Sequence, residues 1–464
     1  MRLRLPAESC AEFGAGFAQI RDENKIPDHF PPAVLAAAEQ AAKKPLGVEH
    51  VDRTDIAFVT LDPATSTDLD QAFALETAGN DLILRYAIAD VPWFVEDGGP
   101  IDLEAWTRAV TMYFPDGRVG LYPPVLSEAA ASLLPDGPRP SVIYIVRVTP
   151  DGTAVLDGVE RALIRSRAKL AYETATAADL PAEFTEFSAR IAAAEDRRGA
   201  SRVDTPEQEV SSDGQGGYTV EFRPRLANED ANAAMSLATN TAVADALFKA
   251  GTGLFRVMPE PDERRVRRLR FTAKALGLTW ADGCDLKDFQ RSLQPSNPKH
   301  AAFLLAVRRA TGGADYAPFQ AGVTPWHSAM AATYCHTTAP LRRLADRYVI
   351  SAALAVANGK PVPDATQQAF ARLPEVMDKA ESTSSRIERT SIDLVETVTL
   401  AGHEGEVFNA VVTDEDERGA RIQLCDFAVV ARVQAHGVSP GDGVQVRLIS
   451  ADLAKRQLSF ERVS

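Results

Sequence analysis

The chain has 464 residues and a net charge of −14, with 45% apolar and 25% charged residues. That is a globular balance, with room for two to four domains at about 100–200 residues each. It gives no overall basic footprint for nucleic acid, although where charges sit matters more than their sum.

The four cysteines, Cys10, Cys284, Cys335 and Cys425, form no C-x-x-C pair, and the seven histidines are scattered. Neither a disulfide framework nor a zinc site is expected. Free thiols suit a reducing compartment, so the expected location is cytoplasmic. The first 14 residues lack the apolar segment of a signal peptide. No apolar run approaches the ~18 residues of a membrane span.

Residues 1–50 read as a short helical region. PPAVLAAAEQAAKK (31–44) is its clearest helix, opened by two prolines and ended before Pro45 and Gly47. From Asp55 the pattern turns to β: IAFVTLD, a polar turn PATSTD, LDQAFALE, then LILRYAIADV (82–91). SVIYIVRV (141–148) and TAVLDGVERALI flank a TPDG turn and predict a hairpin. Helical periodicity follows over 231–251, 262–277 and 341–359. Strands followed by helices indicate an α+β architecture. The last ~60 residues hold five short alternating runs, the number of strands in a small OB-fold barrel. The expected organisation is a helical N-terminal region (1–50), a mixed sheet-and-helix catalytic domain (51–399) and an OB-fold RNA-binding domain (400–464).

The strongest chemical signal runs from Thr60 to Gln71. It places Asp62, Asp68 and Asp70 at a strand end, across a turn and at the next strand start. Strand periodicity predicts Asp68 and Asp70 on one face, with Leu69 opposite. Mg²⁺ takes oxygen ligands and often uses few protein carboxylates beside substrate phosphates. Such a cluster suits metal-assisted phosphodiester hydrolysis. The alternative reading is a solvated polar turn.

This segment is similar to the metal-binding motif of the ribonuclease II family, whose catalytic module is the RNB domain and whose motif reads roughly T-I-D-x-x-x-x-x-D-L-D-D-A. Asp62, Asp68 and Asp70 match three of its four acidic positions, and Gln71 stands at the fourth. Further resemblances follow in order: IADV (88–91), TMYFP (111–115), KLAY (169–172) and LATNTAVADAL (237–247). Ala234 stands where the family often has an acidic residue. Cys335–Asp346 resembles the second signature, roughly H-F-T-S-P-I-R-R-Y-A-D, and Ile387-Glu388-Arg389 falls near its A-E-R-D segment. Residues 402–464 resemble the family's OB-fold RNA-binding domain. The resemblance covers about residues 50–464, and several motifs in one order are more specific than any alone.

The resemblance implies a processive, hydrolytic 3′→5′ exoribonuclease that takes single-stranded RNA to nucleoside 5′-monophosphates. It implies Mg²⁺, with Mn²⁺ as a substitute, no nucleotide cofactor, no membrane and a monomer. Asp62, Asp68 and Asp70 would hold the metal, with Asp68 and Asp70 also catalytic. Gln71 would contact the ion or its water, or else face away as a strand residue. If it faces the ion, Gln71→Asp is expected to tighten metal binding. Arg342 falls on the family's catalytic arginine and would fork onto the scissile phosphate, with Arg343 beside it as an RNA contact. Pro340 suggests that both arginines open a helix. Tyr113 would stack on a base near the 3′ end, a contact worth roughly 1–3 kcal/mol. Tyr172 would lie near the RNA path, and Glu388 would accept from the terminal ribose. Each of these residues has a plain alternative in the core or on a helix surface.

Arg264, Arg265, Arg267, Arg268, Arg270 and Lys274 read better as a solvated helix face than as a phosphate channel, because Asp262 and Glu263 adjoin them. In the barrel, Phe408, Phe427, Arg432 and His436 are candidates for RNA contact, or the phenylalanines fill its core. Two other function classes compete. Gln71, Ala234 and the short N-terminal region motivate a catalytically impaired RNA-binding or regulatory homologue. A phosphoesterase for small nucleotides is the third, and the terminal barrel argues against it.

Overall fold

The central strands of the first 171 residues are apolar along nearly their whole length, so their sheet must be covered on both faces. The computed structural model describes residues 9–46, 49–201, 207–213, 216–223, 225–294, 297–416, 419–435 and 437–463. Helices α1 (Ser9–Glu23) and α2 (Pro32–Ala41) precede β1 (Val51–Asp52), β2 (Phe58–Asp62), β3 (Gln71–Ala78) and β4 (Asp81–Ala89). Short helices α3 (Val91–Phe94) and α4 (Pro100–Arg108) lead to the hairpin β5 (Met112–Phe114) and β6 (Gly117–Val119). Strands β7 (Arg139–Val148), β8 (Ala154–Ile164) and β9 (Ser166–Ala171) complete this block.

Helix α5 (Phe184–Arg198), the hairpin β10 (Glu207–Ser212) and β11 (Tyr218–Arg223), and α6 (Ala227–Lys249) follow. Then come β12 (Leu254–Val257), α7 (Glu263–Ala275), α8 (Leu286–Arg291), α9 (Pro298–Thr311) and β13 (Asp315–Pro318). The pair β14 (Trp326–His327) and β15 (Ala332–Thr333) leads to α10 (Leu344–Ala357) and the 37-residue α11 (Asp364–Leu400). Strands β16 (Val407–Asp416), β17 (Gly419–Leu424), β18 (Val430–Gln434), β19 (Gly443–Asp452) and β20 (Gln457–Arg462) close the chain.

The seven-stranded sheet runs β1-β8-β7-β4-β3-β2-β9. It is antiparallel except at its edges, where β1 joins β8 and β9 joins β2 in parallel. Tyr86, Ile88, Ile143 and Tyr144 of the central strands are fully buried, and Met235 and Val243 of α6 with Val349 of α10 belong to the same core. The register that sets Asp62 opposite Ala171 brings the end of β9 to the acidic loop.

The α+β expectation holds, and the five terminal runs form a closed barrel in the order β16-β17-β18-β20-β19. Phe408 is buried in that barrel with Phe460, and Phe427 packs edge-on against Phe408 at 5.9 Å. Both phenylalanines therefore serve the barrel's own packing. His436 lies outside the described residues. Helices α7–α9 form a small satellite core, with Trp280 stacked on Phe289 at 4.8 Å. Arg264, Arg265, Arg267, Arg268 and Lys274 of α7 are exposed, whereas Arg270 packs over the Trp280 ring at 4.2 Å. Glu263 and Asp262 stand 3.5 and 3.9 Å from Arg267 and Arg265. Among the described residues no helix is long and apolar enough to cross a membrane.

Helix α1 ties separate parts together. Phe13 and Phe17 pack edge-on to Tyr218 of β11. Gly16 lets α1 approach α11 closely, because a Cβ there would lie 2.5 Å from Leu394 Cδ2. Arg21 pairs with Asp116 in the β5–β6 turn, and Glu23 takes both guanidinium nitrogens of Arg456 from the barrel at 2.8 and 2.9 Å.

Glu396, near the end of α11, joins the β10–β11 hairpin to the barrel. It accepts from Gln208 Nε2 at 2.7 Å and from the Val430 N–H at 2.9 Å. Burial pushes its carboxyl from 4.5 up to about 7, with Asp393 adding to the shift and the two hydrogen bonds and Arg421 opposing it. The folded chain thus keeps a proton that the unfolded chain releases. The stability this gives is complete below about pH 4.5 and is lost as pH rises through about 7. Glu396→Gln is therefore expected to narrow the difference in Tm between pH 5 and pH 8. An unchanged difference in thermal scans would contradict that link.

Candidate functional site

β2 ends at Asp62 and β3 begins at Gln71, so Asp68 and Asp70 lie in the loop between them and not on a strand face as expected. The ladder with β4 ends at Asp70, because the backbone of Leu69 is taken by residues 132 and 133. Leu69 N–H donates to Ser132 Oγ at 2.9 Å, Leu133 N–H donates to Leu69 O at 3.0 Å, and Ala89 N–H donates to Asp70 O at 2.9 Å. Leu69 is fully buried between the two acids.

Asp68 is ion-paired with Arg118, which also holds Glu128 at 2.9 Å and Thr67 Oγ1 at 2.6 Å. Arg118 was missed by sequence reasoning, although the signal was present. The Pro115-Asp116 turn folds residue 118 back opposite Tyr113 in the hairpin. Tyr113 itself is 50% exposed.

Asp70 is 6% exposed. Its Oδ1 accepts the Leu341 N–H at 2.7 Å, and its Oδ2 faces Arg342 Nε at 3.6 Å. The expected helix at 341 begins only at Leu344. The reason is long-range pairing: Thr111 N–H donates to Arg342 O, Leu344 N–H donates to Ala109 O, and Val110 bridges Arg343. Arg343 is thus extended, and Arg342 lies in the turn before it, set beside the hairpin that carries Tyr113. The Arg342 side chain is 47% exposed. Arg343 differs, because its guanidinium forks onto Asp346 at 3.0 and 2.9 Å, and fully buried Asp346 also takes the Ala339 N–H at 2.8 Å.

Both ends of the Gln71 amide are occupied. Tyr86 Oη donates to Oε1 at 2.5 Å, and Nε2 donates to the Thr338 carbonyl at 2.7 Å. Tyr172 follows β9, and its N–H donates to Asp62 O at 3.2 Å. Its hydroxyl accepts from Asn232 Nδ2 of α6 at 2.8 Å, a partner that no sequence motif marked. Lys169 Nζ holds the loop at Ala64 O. Glu388 is elsewhere: it lines a cavity of about 320 Å³ with Gln208, Arg389, Asp393, Glu396 and Arg421, none of them in the acidic loop.

Burial disfavours the charged form of both Asp62 and Asp70. Burial pushes Asp62 up to about 7, with Asp68 adding to the shift and Arg342 and Lys169 opposing it. Burial also raises Asp70 well above the carboxylate range, against Arg342 and the Leu341 N–H. Among the described residues no three His, Cys, Asp or Glu side chains stand close enough to cage a metal. Asp62 and Asp70 instead fit the sparser kind of Mg²⁺ site, which takes one or two carboxylates and fills its shell with water and substrate phosphate.

Comparison with known proteins gives the family. An RNB domain model matches residues 50–356, and an RNase II-type exonuclease C-terminal S1 domain model matches 406–463. Ribonuclease R of Aquifex aeolicus is 26% identical over 497 residues, which cover 96% of this chain and 69% of that protein. Ribonuclease R 1 of Lactococcus lactis is 26% identical over 447 residues, covering 89% of this chain and only 54% of the relative. In fold, the chain is similar to Mycoplasma genitalium RNase R in complex with ribose-methylated single-stranded RNA. That match has a TM-score of 0.86 at 20% identity and covers 97% of this chain and 78% of the other. Buried Asp70 and partly buried Asp62, beside a half-exposed arginine, thus sit inside the matched RNB module, and the chain belongs to the RNB domain family.

Proposed function

We propose that this protein is a divalent-metal-dependent exoribonuclease that hydrolyses single-stranded RNA processively from its 3′ end to nucleoside 5′-monophosphates. The observation that carries the reading is Asp70, buried and short of positive charge, held between the Leu341 N–H and half-exposed Arg342. The similarity in fold to an RNase R solved with single-stranded RNA supports the choice of substrate.

Asp62 and Asp70 would hold Mg²⁺ or Mn²⁺. When bound, the ion would supply Lewis-acid polarisation of the scissile phosphate and a more acidic attacking water. Arg342 forks onto the non-bridging oxygens and offsets the charge that builds there. Asp68 keeps Arg118 in place, and Arg118 lies opposite Tyr113. Tyr113 stacks on the terminal base, a contact that tolerates any sequence as stepwise removal requires. Tyr172, fixed by Asn232, borders the site from the Asp62 side. Arg343 acts as a scaffold for the Arg342 loop through Asp346. Glu388 is left out of this assignment because its cavity belongs to the junction of α11 and the barrel. The barrel, as an OB-type module, gives the trailing strand a second hold.

One observation favours a second reading, a catalytically impaired RNA-binding homologue. The amide of Gln71 and the carboxylate of Asp68 are spent on protein partners, which leaves two carboxylates for a cation.

A time course on 5′-labelled poly(A), with Mg²⁺, Mn²⁺ or EDTA, separates the two. The expected result is a short labelled end product that forms with metal and is absent in EDTA. RNA bound but uncut under all three conditions would select the second reading. Asp70→Asn is expected to lower turnover by more than the roughly 100-fold typical of changes outside a metal's immediate ligands, with RNA affinity in EDTA largely kept. Lost affinity in a folded variant would contradict the role given to Asp70.

A further inference from the structure

We infer that Gln71 is a positioning residue that fixes the loop bearing Arg342, and not a metal ligand. The inference rests on the exoribonuclease reading for its kinetic consequence, while its structural consequence stands alone.

Residues 70 and 71 grip the same short segment from two sides. The Asp70 carboxylate takes the Leu341 N–H, and the Gln71 amide donates to the Thr338 carbonyl. Between these two points lie Ala339 and Pro340, so the clamp closes on the turn immediately before Arg342. The other end of the amide is anchored too. Tyr86 is fully buried in the central strand β4, and its hydroxyl also meets Ser236 Oγ of α6 at 2.9 Å. A phenol has one hydrogen. If it goes to Gln71 Oε1, the Ser236 hydroxyl donates to Tyr86, and every partner in the chain Ser236–Tyr86–Gln71–Thr338 is satisfied.

This chain of bonds has a direction. Turning the amide over would set Oε1 against the Thr338 carbonyl oxygen, where two acceptors repel. The observed orientation therefore aims Oε1 at Tyr86, and that oxygen is the atom a cation would need. A carboxylate at position 71 has no hydrogen for Thr338. It would set an anion against a carbonyl oxygen and add a further negative charge beside Asp70. Glutamine thus does what an aspartate at this position cannot do here: it braces the Arg342 loop to the sheet. The consequence reverses the expectation that Gln71→Asp tightens metal binding.

The test compares wild type, Gln71→Asp and Gln71→Met, with Tm as a check on folding. Methionine keeps the length and neutrality of the side chain without its hydrogen bonds. In metal-free protein, both variants are expected to speed amide hydrogen exchange in peptides spanning 334–346, while β4 peptides stay unchanged. On poly(A) at saturating Mg²⁺, both are expected to lose roughly 10- to 100-fold in kcat, the scale set by a small displacement of a catalytic group, with KM little changed. Unchanged exchange over 334–346 in both variants would overturn the inference. So would a Gln71→Asp protein that needs less Mg²⁺ than wild type for the same rate. If wild type itself cuts no RNA, the exoribonuclease reading fails, and the exchange experiment still decides whether Gln71 is the brace.

Discussion

One hydrogen bond, from the Leu341 N–H to the Asp70 carboxylate, joins segments 271 residues apart and puts the site's charges within reach of one another. Its geometry depends on both backbones being committed elsewhere. The Asp70 loop is held by Ser132, Leu133 and Ala89, and the Leu341 loop by Ala109 and Thr111. Neither segment is free to relax away from the other. A buried carboxylate costs several kcal/mol unless paired, and Arg342 at 3.6 Å is an incomplete partner. The site is therefore held in an electrostatically unfavourable state by the packing around it. On the function proposed above, a cation brought in with a phosphate would relieve that state.

The same constraint orders the outer parts of the site. Because residues 109–111 pair with the Arg342 segment, the β5–β6 hairpin must fold next to the acidic loop, with Tyr113 and Arg118 upon it. Helix α1 then links the tip of that hairpin to the barrel, through Arg21–Asp116 on one side and Glu23–Arg456 on the other. The long helix α11 runs from α10 past the β10–β11 hairpin to the barrel, and Glu396 seals its far end. The acidic loop, the hairpin that carries Tyr113 and the barrel are thus parts of one connected scaffold.

Local pattern carried much of the fold. Alternating runs at 407–462 became a five-stranded barrel because each strand buries one face only, as the patterning of β17 and β19 shows. The acidic motif and the arginine signature were legible as chemistry, and the structure brings Asp70 and Arg342 together. What local pattern missed was decided by distant partners. The helix expected at 341 starts later because residues 109–111 claim the backbone of Arg342–Leu344. Arg343 looked equivalent to Arg342, and only Asp346 distinguishes them. Gln71 read as a weakened ligand because its partners, Tyr86 and Thr338, lie 15 and 267 residues away. The helix α11, interrupted in sequence by Pro374, was not anticipated.

Buried Asp70 and partly buried Asp62 are proposed to hold an ion that they share with the substrate. Calorimetric titration of Mg²⁺, with and without a non-hydrolysable single-stranded RNA, tests it most directly in wild type and Asp62→Asn. The account predicts weak Mg²⁺ binding alone, much tighter binding once RNA is present, and loss of that tightening in Asp62→Asn. Tight Mg²⁺ binding without RNA, or binding indifferent to Asp62→Asn, would show that the ion is held in another way.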